Sequence, residues 1–142
     1  MNALSSTAAE ALAALRDDFE VYAPQALWIK SKAGTLEPLQ LNAAQRYVHG
    51  RLQAQLSRGG MVRAIILKGR QQGMSTYTEA RFFHRVSMHT GVAAYILTHR
   101  DDATGHLFDM AKRYYDLLPE ALQPSLRRSN AKELEFDRLR SE

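Results

Sequence analysis

The chain has 142 residues, 45% apolar and 24% charged, proportions that suit one small soluble domain with a core of its own. Lys and Arg number 19 against 15 Asp and Glu, and the net charge of +4 permits nucleic-acid contact without specifying it. The absence of cysteine excludes disulfides and thiolate zinc sites; no apolar run reaches the roughly 18 residues that cross a bilayer, and MNALSSTAAEALAALRDDF lacks the basic start and apolar core of a signal peptide.

Residues 7–20 carry an apolar stripe at Ala8, Leu12, Leu15 and Phe19, with Thr7 and Glu10 at capping-box spacing, and predict a helix. YAPQALWIKSKAGTLEP contains two prolines and a Lys-Ala-Gly turn, so a loop with an extended piece at Leu27 to Ile29 is expected. Asn42 is a suitable N-cap for a helix running to about Ser57, with Val48, Leu52 and Leu56 on one face and Gly59-Gly60 as its stop. VRAIIL, 62–67, is apolar, β-branched and bounded by glycines, the pattern of a buried strand. A helix over Thr76 to His89 follows, closed by Gly91, and VAAYIL, 92–97, reads as a second buried strand. From Asp102 to Leu118 the buried stripe is Leu107, Met110, Ala111, Tyr114 and Leu118. Asp101 and Asp102 suit that helix's positive end, and Pro119 stops it. Leu134 and Phe136 begin an alternation that reads as the start of a third strand. Strands apolar on both faces and separated by helices predict an α/β fold with a parallel sheet and right-handed crossovers.

Between the first predicted strand and its helix lies KGRQQGMST, 68–76. The usual phosphate loop is G-x-x-x-x-G-K-[ST], placed between a strand and a helix. With Gly73 on the second glycine, Ser75 falls on the hydroxyl position, Met74 on the lysine position and Lys68 on the first glycine position. Loop amides and a helix N-terminus together make an anion hole, and a glycine lets backbone approach phosphate closely. Lys68 offers a point charge from the opposite end of the loop, and Arg70 a fork suited to phosphate oxygens. The bland alternative is a tight strand-to-helix turn that contains Gly, Gln and Ser by chance.

Other constellations carry less. His84 and His89 are five apart rather than the four that puts two ligands on one helix face. Gly73-Met74-Ser75 is no nucleophile elbow, because Tyr77 stands where a glycine is needed. Arg127-Arg128 reads as a solvated loop, and Phe82-Phe83 and Tyr114-Tyr115 as pairs with one ring buried and one exposed.

LQLNAAQRYVHGRL, GRQQGMST, AYILTHRDDATGHLFDMAKRYYDLLP and SNAKELEFDRLRSE occur in this order, and together they resemble the large terminase subunits of tailed bacteriophages. The similarity covers roughly residues 19–142. Some members of that family carry the loop lysine at the loop's start, which Lys68 matches. The resemblance implies a P-loop ATPase that drives double-stranded viral DNA into the procapsid, bound to ATP and Mg²⁺. Residues 1–41 would be a helical and extended lead-in, and 42–142 the N-terminal part of the ATPase domain.

In this reading Lys68 and Arg70 are catalytic, on the β/γ- and γ-phosphates respectively. Gly69, Gln71, Gln72, Gly73, Met74 and Thr76 complete the nucleotide-binding loop. Ser75, with Thr76 beside it, would hold Mg²⁺, and Gln45 would read adenine. Spacing alone gives Gln45 a different role, as the third residue of a capping box with Asn42. The implied partners are the small terminase subunit, the portal protein and further copies of the chain, in the cytoplasm of the bacterial host and away from membranes.

The family also uses an apolar strand ending in Asp-Glu, for the Mg²⁺ shell and the attacking water, and a carboxylate-rich nuclease half. Neither is in this sequence, where LEFD ends in Asp137 followed by arginine. The expectation is a truncated ATPase domain that does not hydrolyse ATP alone. Two other classes fit less of the sequence: a different P-loop translocase or helicase-like ATPase, and a non-catalytic prophage-remnant interaction module.

Overall fold

The computed structural model describes residues 2–31, 33–98, 101–129 and 133–136. Helix α1 spans Asn2–Asp17 and α2 spans Phe19–Ala26. The single helix expected over 7–20 is thus two, and Thr7 lies inside the first. Asp18 makes the break: its backbone is extended (φ −120°, ψ 110°), and its carboxylate accepts the amides of Glu20 and Val21. That caps α2 on its own axis and frees Phe19, Tyr22, Ala23 and Ala26 to enter the core.

Strand β1 (Trp28–Lys30) pairs antiparallel with β2 (Leu36–Pro38), Ile29 opposite Glu37. The extended piece expected at 27–29 is therefore one arm of a hairpin, turned at Gly34 (φ 87°) and tied by the Ser31 and Thr35 hydroxyls at 2.7 Å. Leu27 and Leu39 flank it, joined by a backbone hydrogen bond of 2.9 Å, and both are buried.

Helix α3 (Ala43–Gly59) starts at Asn42 and ends at Gly60, whose left-handed φ of 66° closes it as the Gly-Gly pair predicts. Helix α4 (Met74–Met88) and helix α5 (Asp101–Asp116) follow. A short 3₁₀ turn over Glu120–Leu122 leads to β3 (Leu126–Ser129), which pairs antiparallel with β4 (Leu134–Phe136) across a bulge. The Tyr115 ring stacks on Phe136 at 5.6 Å and its hydroxyl donates to the Pro124 carbonyl, which fixes this second hairpin on α5.

The core is built around α4. Tyr77, Ala80 and Phe83 face Phe19, Tyr22, Leu27, Leu39, Leu41, Tyr114 and Leu118. Of the stripe expected on α5, Tyr114 and Leu118 are fully inside, while Leu107, Met110 and Ala111 are half-buried.

Two expected strands are not formed among the described residues. Segments 62–67 and 92–97 are in no sheet among the described residues, and the predicted parallel sheet is absent there; the only ladders are the two antiparallel hairpins. Leu134 and Phe136 do form a strand, but β3 is its antiparallel partner. The physical reason lies in the apolar runs themselves. A strand apolar on both faces needs ladder neighbours and helices over both sides. Without them Ile65 and Leu67 are each 100% exposed, and Leu97 95%. Asp137 and the side chains of Asp101 and Asp102 lie outside the described residues.

Two buried ionisable groups on α4 titrate in opposite senses. His84 donates from Nε2 to the Leu15 carbonyl at 2.8 Å, between the Phe19 and Tyr22 rings. Burial, helped by His89, Arg85 and Arg81 against the opposing Leu15 bond, pushes its pKa down to about 4. Burial pushes the Glu79 carboxyl up to about 7. Between the unfolded carboxyl value near 4.5 and the unfolded imidazole value near 6.5, the unfolded chain binds the extra proton at His84 and the folded chain binds it at Glu79. The two contributions oppose one another in that window. Urea unfolding from pH 4.5 to 6.5 should give different slopes in two variants. Glu79→Gln leaves the His84 contribution, so stability rises with pH, by at most about 1.4 kcal/mol per pH unit for each proton. His84→Asn keeps the falling Glu79 contribution against the lowered His49 and His89 values, so its stability rises less steeply with pH than that of Glu79→Gln. Parallel pH curves for the two variants would show the assignment to be wrong.

Candidate functional site

The loop between the exposed 62–67 segment and α4 takes its shape from its own backbone and from the N-terminus of α3. Gln71 is left-handed at φ 58° without being glycine, and Gly73 follows at φ 69°. Gly73 is the N-cap of α4, has no side chain to cap it, and no acidic residue stands in the first turn. The amides of Met74, Ser75 and Thr76 therefore meet no side-chain cap at the positive end of the helix. A site of this kind is ready for an anion.

Asn42 and Gln45 hold this turn in place. The Asn42 Oδ1 accepts the Gln45 amide at 2.9 Å, and the Gln45 Oε1 accepts the Asn42 amide at 2.9 Å, a complete capping box at the start of α3. The same two side chains then reach across. Gln45 Nε2 donates to the Gly73 carbonyl at 2.8 Å, and Asn42 Nδ2 to the Gln72 carbonyl at 3.3 Å. The cap of one helix thus positions the N-cap of the next. A Cβ on Gly73 would lie 2.7 Å from Gln45 Nε2, so glycine is required there twice, by φ and by space.

Further along the two helices a second polar seam joins them. Arg81 Nη1 donates to His49 Nδ1 at 2.9 Å and to the Tyr77 hydroxyl at 3.2 Å, while Nη2 donates to Gln53 Oε1 at 3.0 Å. Tyr77 Oη and His49 Nδ1 are 3.0 Å apart. Because arginine can only donate, His49 Nδ1 is an acceptor and the ring is neutral. Burial, then the Arg81 charge, lowers its pKa accordingly. Before the loop, both ends of the Gln55 side-chain amide pair with the Arg63 backbone, at 2.9 and 3.0 Å, in the manner of a strand partner. Sequence reasoning missed this clamp and the reach of Asn42 to Gln72; a glutamine and an asparagine at helix positions give no local signal of either.

The candidate residues separate by depth. Lys68, Gly69, Arg70, Gln71, Gln72 and Ser75 are exposed, Gly73 and Thr76 are half-buried, and Met74 is 6% exposed. The position that normally carries the loop lysine thus points into the protein, and the loop's cationic side chains come before the turn. Gln45 is buried at 4% exposure with both ends of its amide engaged. Its capping role is present in full. Adenine would find only its second N–H and second lone pair, and only after the side chain became accessible.

Among the described residues no group of three or more acidic or histidine side chains has metal-site geometry, and no helix is long and apolar enough to cross a membrane. Gly73→Ala should lower stability by roughly 1–3 kcal/mol, from left-handed strain and displacement of Gln45. Gly50→Ala, inside α3 with nothing within 4 Å, should raise it by about 0.5–1 kcal/mol. Urea denaturation of both variants checks the contrast, and a neutral Gly73→Ala would remove the requirement for glycine. No protein-family model matches the chain, and no curated protein matches it.

Proposed function

We propose that this chain is the N-terminal, ATP-binding part of a phage DNA-packaging terminase large subunit, of P-loop α/β type, with 68–76 as its phosphate loop. The observation that carries the reading is the uncapped start of α4, with Met74 turned inward and Lys68 and Arg70 exposed just before it. An inward Met74 makes a lysine at the usual position unnecessary only if charge comes from elsewhere, and Lys68 supplies it. In this reading the backbone amides of the turn bind phosphate oxygens. Lys68 neutralises the β- and γ-phosphates, and Arg70 engages the γ-phosphate with two parallel N–H donors. The exposed Ser75 hydroxyl, beside Thr76, is placed for the Mg²⁺ that accompanies the nucleotide. Gln45 enters first as the residue that fixes Gly73, and as an adenine contact only through the free valences of its amide.

The exposed apolar runs at 62–67 and 92–97 support the same reading. They precede the loop and α5 respectively, where a P-loop fold places neighbouring strands of a parallel sheet. Double-stranded DNA, the small subunit, the portal and other copies of the chain are the partners this reading brings with it. The chain's own residues account for binding nucleotide; water activation falls to carboxylates this sequence does not contain.

Titration of a fluorescent ATP analogue with Mg²⁺ tests the proposal. Lys68→Ala should weaken binding tenfold or more, a loss of about 1.4 kcal/mol or greater. Adding Met74→Lys to that variant should not restore it, because residue 74 faces inward. Unchanged affinity in Lys68→Ala, or no binding by the wild type at millimolar nucleotide, would defeat the reading.

A further inference from the structure

Helix α4 has another polar feature on the side away from α3. Glu79 is two residues from both Tyr77 and Arg81, which places it on the opposite face. It is 6% exposed, and its Oε2 is buried with no hydrogen-bond partner among the described residues. The Tyr114 hydroxyl on α5 is in the same condition. Burial, and then the nearby Glu79 charge, hold that phenol protonated. Glu79 lines a cavity of about 550 Å³ bounded by α4, the 92–96 segment, α5 and β4. Its other walls carry apolar and aromatic side chains, among them Phe82, Val86, Ile96 and Leu107, together with the polar His89 and Glu133.

An unpaired buried polar atom is costly, so folded chains retain few of them. Small-molecule sites span roughly 300–1,000 Å³ and are apolar with a small number of placed polar groups. The buried Glu79 carboxyl, with the exposed Glu133 also on the lining, specifies its complement: a hydrogen-bond donor, preferably cationic, at the end of an apolar body. Aromatic walls add the attraction of ring faces for a cation.

We propose that this cavity binds an ammonium or guanidinium group carried on an apolar stem, with the Glu79 carboxylate as its counter-ion. The group belongs either to a free amine or to a Lys or Arg side chain of an extended polypeptide laid along 92–97, a segment with no ladder partner among the described residues. The site is separate from the loop at 68–76 and does not depend on nucleotide binding there.

The test titrates benzylamine, and its neutral isostere benzyl alcohol, into the ¹⁵N-labelled whole chain. Benzylamine should shift the amides of Phe82, Val86 and Leu107 and bind at least tenfold more tightly than the alcohol. Glu79→Gln should remove that tenfold preference. Ala111→Leu, which narrows the cavity from α5, should weaken both probes and keep the preference for the amine. A further arm uses the peptide acetyl-Val-Lys-Val-Lys-Val-amide. Binding tenfold tighter than benzylamine and lost in Glu79→Gln assigns the group to a polypeptide, and weaker binding assigns it to a free amine. The proposal is overturned if the alcohol binds as well as the amine, if Glu79→Gln keeps the preference, if Ala111→Leu leaves both affinities unchanged, or if those amides do not move at millimolar benzylamine.

Discussion

The reach of the Asn42 and Gln45 side chains from the cap of α3 to the Gln72 and Gly73 carbonyls is the contact on which the rest of the arrangement rests. A capping box alone satisfies two amides at one helix end. Here its donors are also spent on the next helix's first carbonyls, so the start of α3 and the start of α4 become one unit. The conformation of Gly73, the inward path of Met74 and the uncapped amides after it all follow from where that carbonyl is held. The left-handed Gln71 is a backbone strain that such a fixed end can impose and keep.

α4 then divides its surroundings by face. One face carries Tyr77, Ala80 and Phe83 into the aromatic core. A second carries the donors of Arg81 to His49 and Gln53, where a neutral imidazole is the required acceptor. Away from Arg81, Glu79 lies four residues before Phe83 and lines a cavity with it and with the 92–96 segment. The helix that presents its N-terminus to solvent is thus tied to its neighbours on several sides.

Much of the local structure was legible in the sequence because its causes are local. Asn42 with Gln45, the Gly59-Gly60 stop and the Pro119 stop each act within a turn of the residue concerned, and the helices start and end near them. The break at Asp18 was missed because the apolar stripe of 7–20 runs through it, and only the carboxylate's bond to the next amides interrupts the helix. Only the first arm of the β1–β2 hairpin is legible, its second arm being three residues long and ending at Pro38. The strand signal at 62–67 and 92–97 is a statement about burial on both faces. Burial of that kind needs ladder neighbours from elsewhere, and among the described residues neither segment has one. For the loop, the sequence located the residues but not their depth. That Met74 turns inward and Gln45 is spent on Gly73 depends on α3 packing beside α4, a contact between residues 28 apart.

The most direct measurement is amide chemical-shift mapping of the whole chain with Mg²⁺–ATP. If the uncapped start of α4 is a phosphate site, the amides from Gly69 to Thr76 move first and saturably, and those of α5 and the hairpins stay in place. Saturating nucleotide that leaves the Gly73, Met74 and Ser75 amides unmoved would contradict it, and the loop would then be a glycine-containing turn into α4 and nothing more.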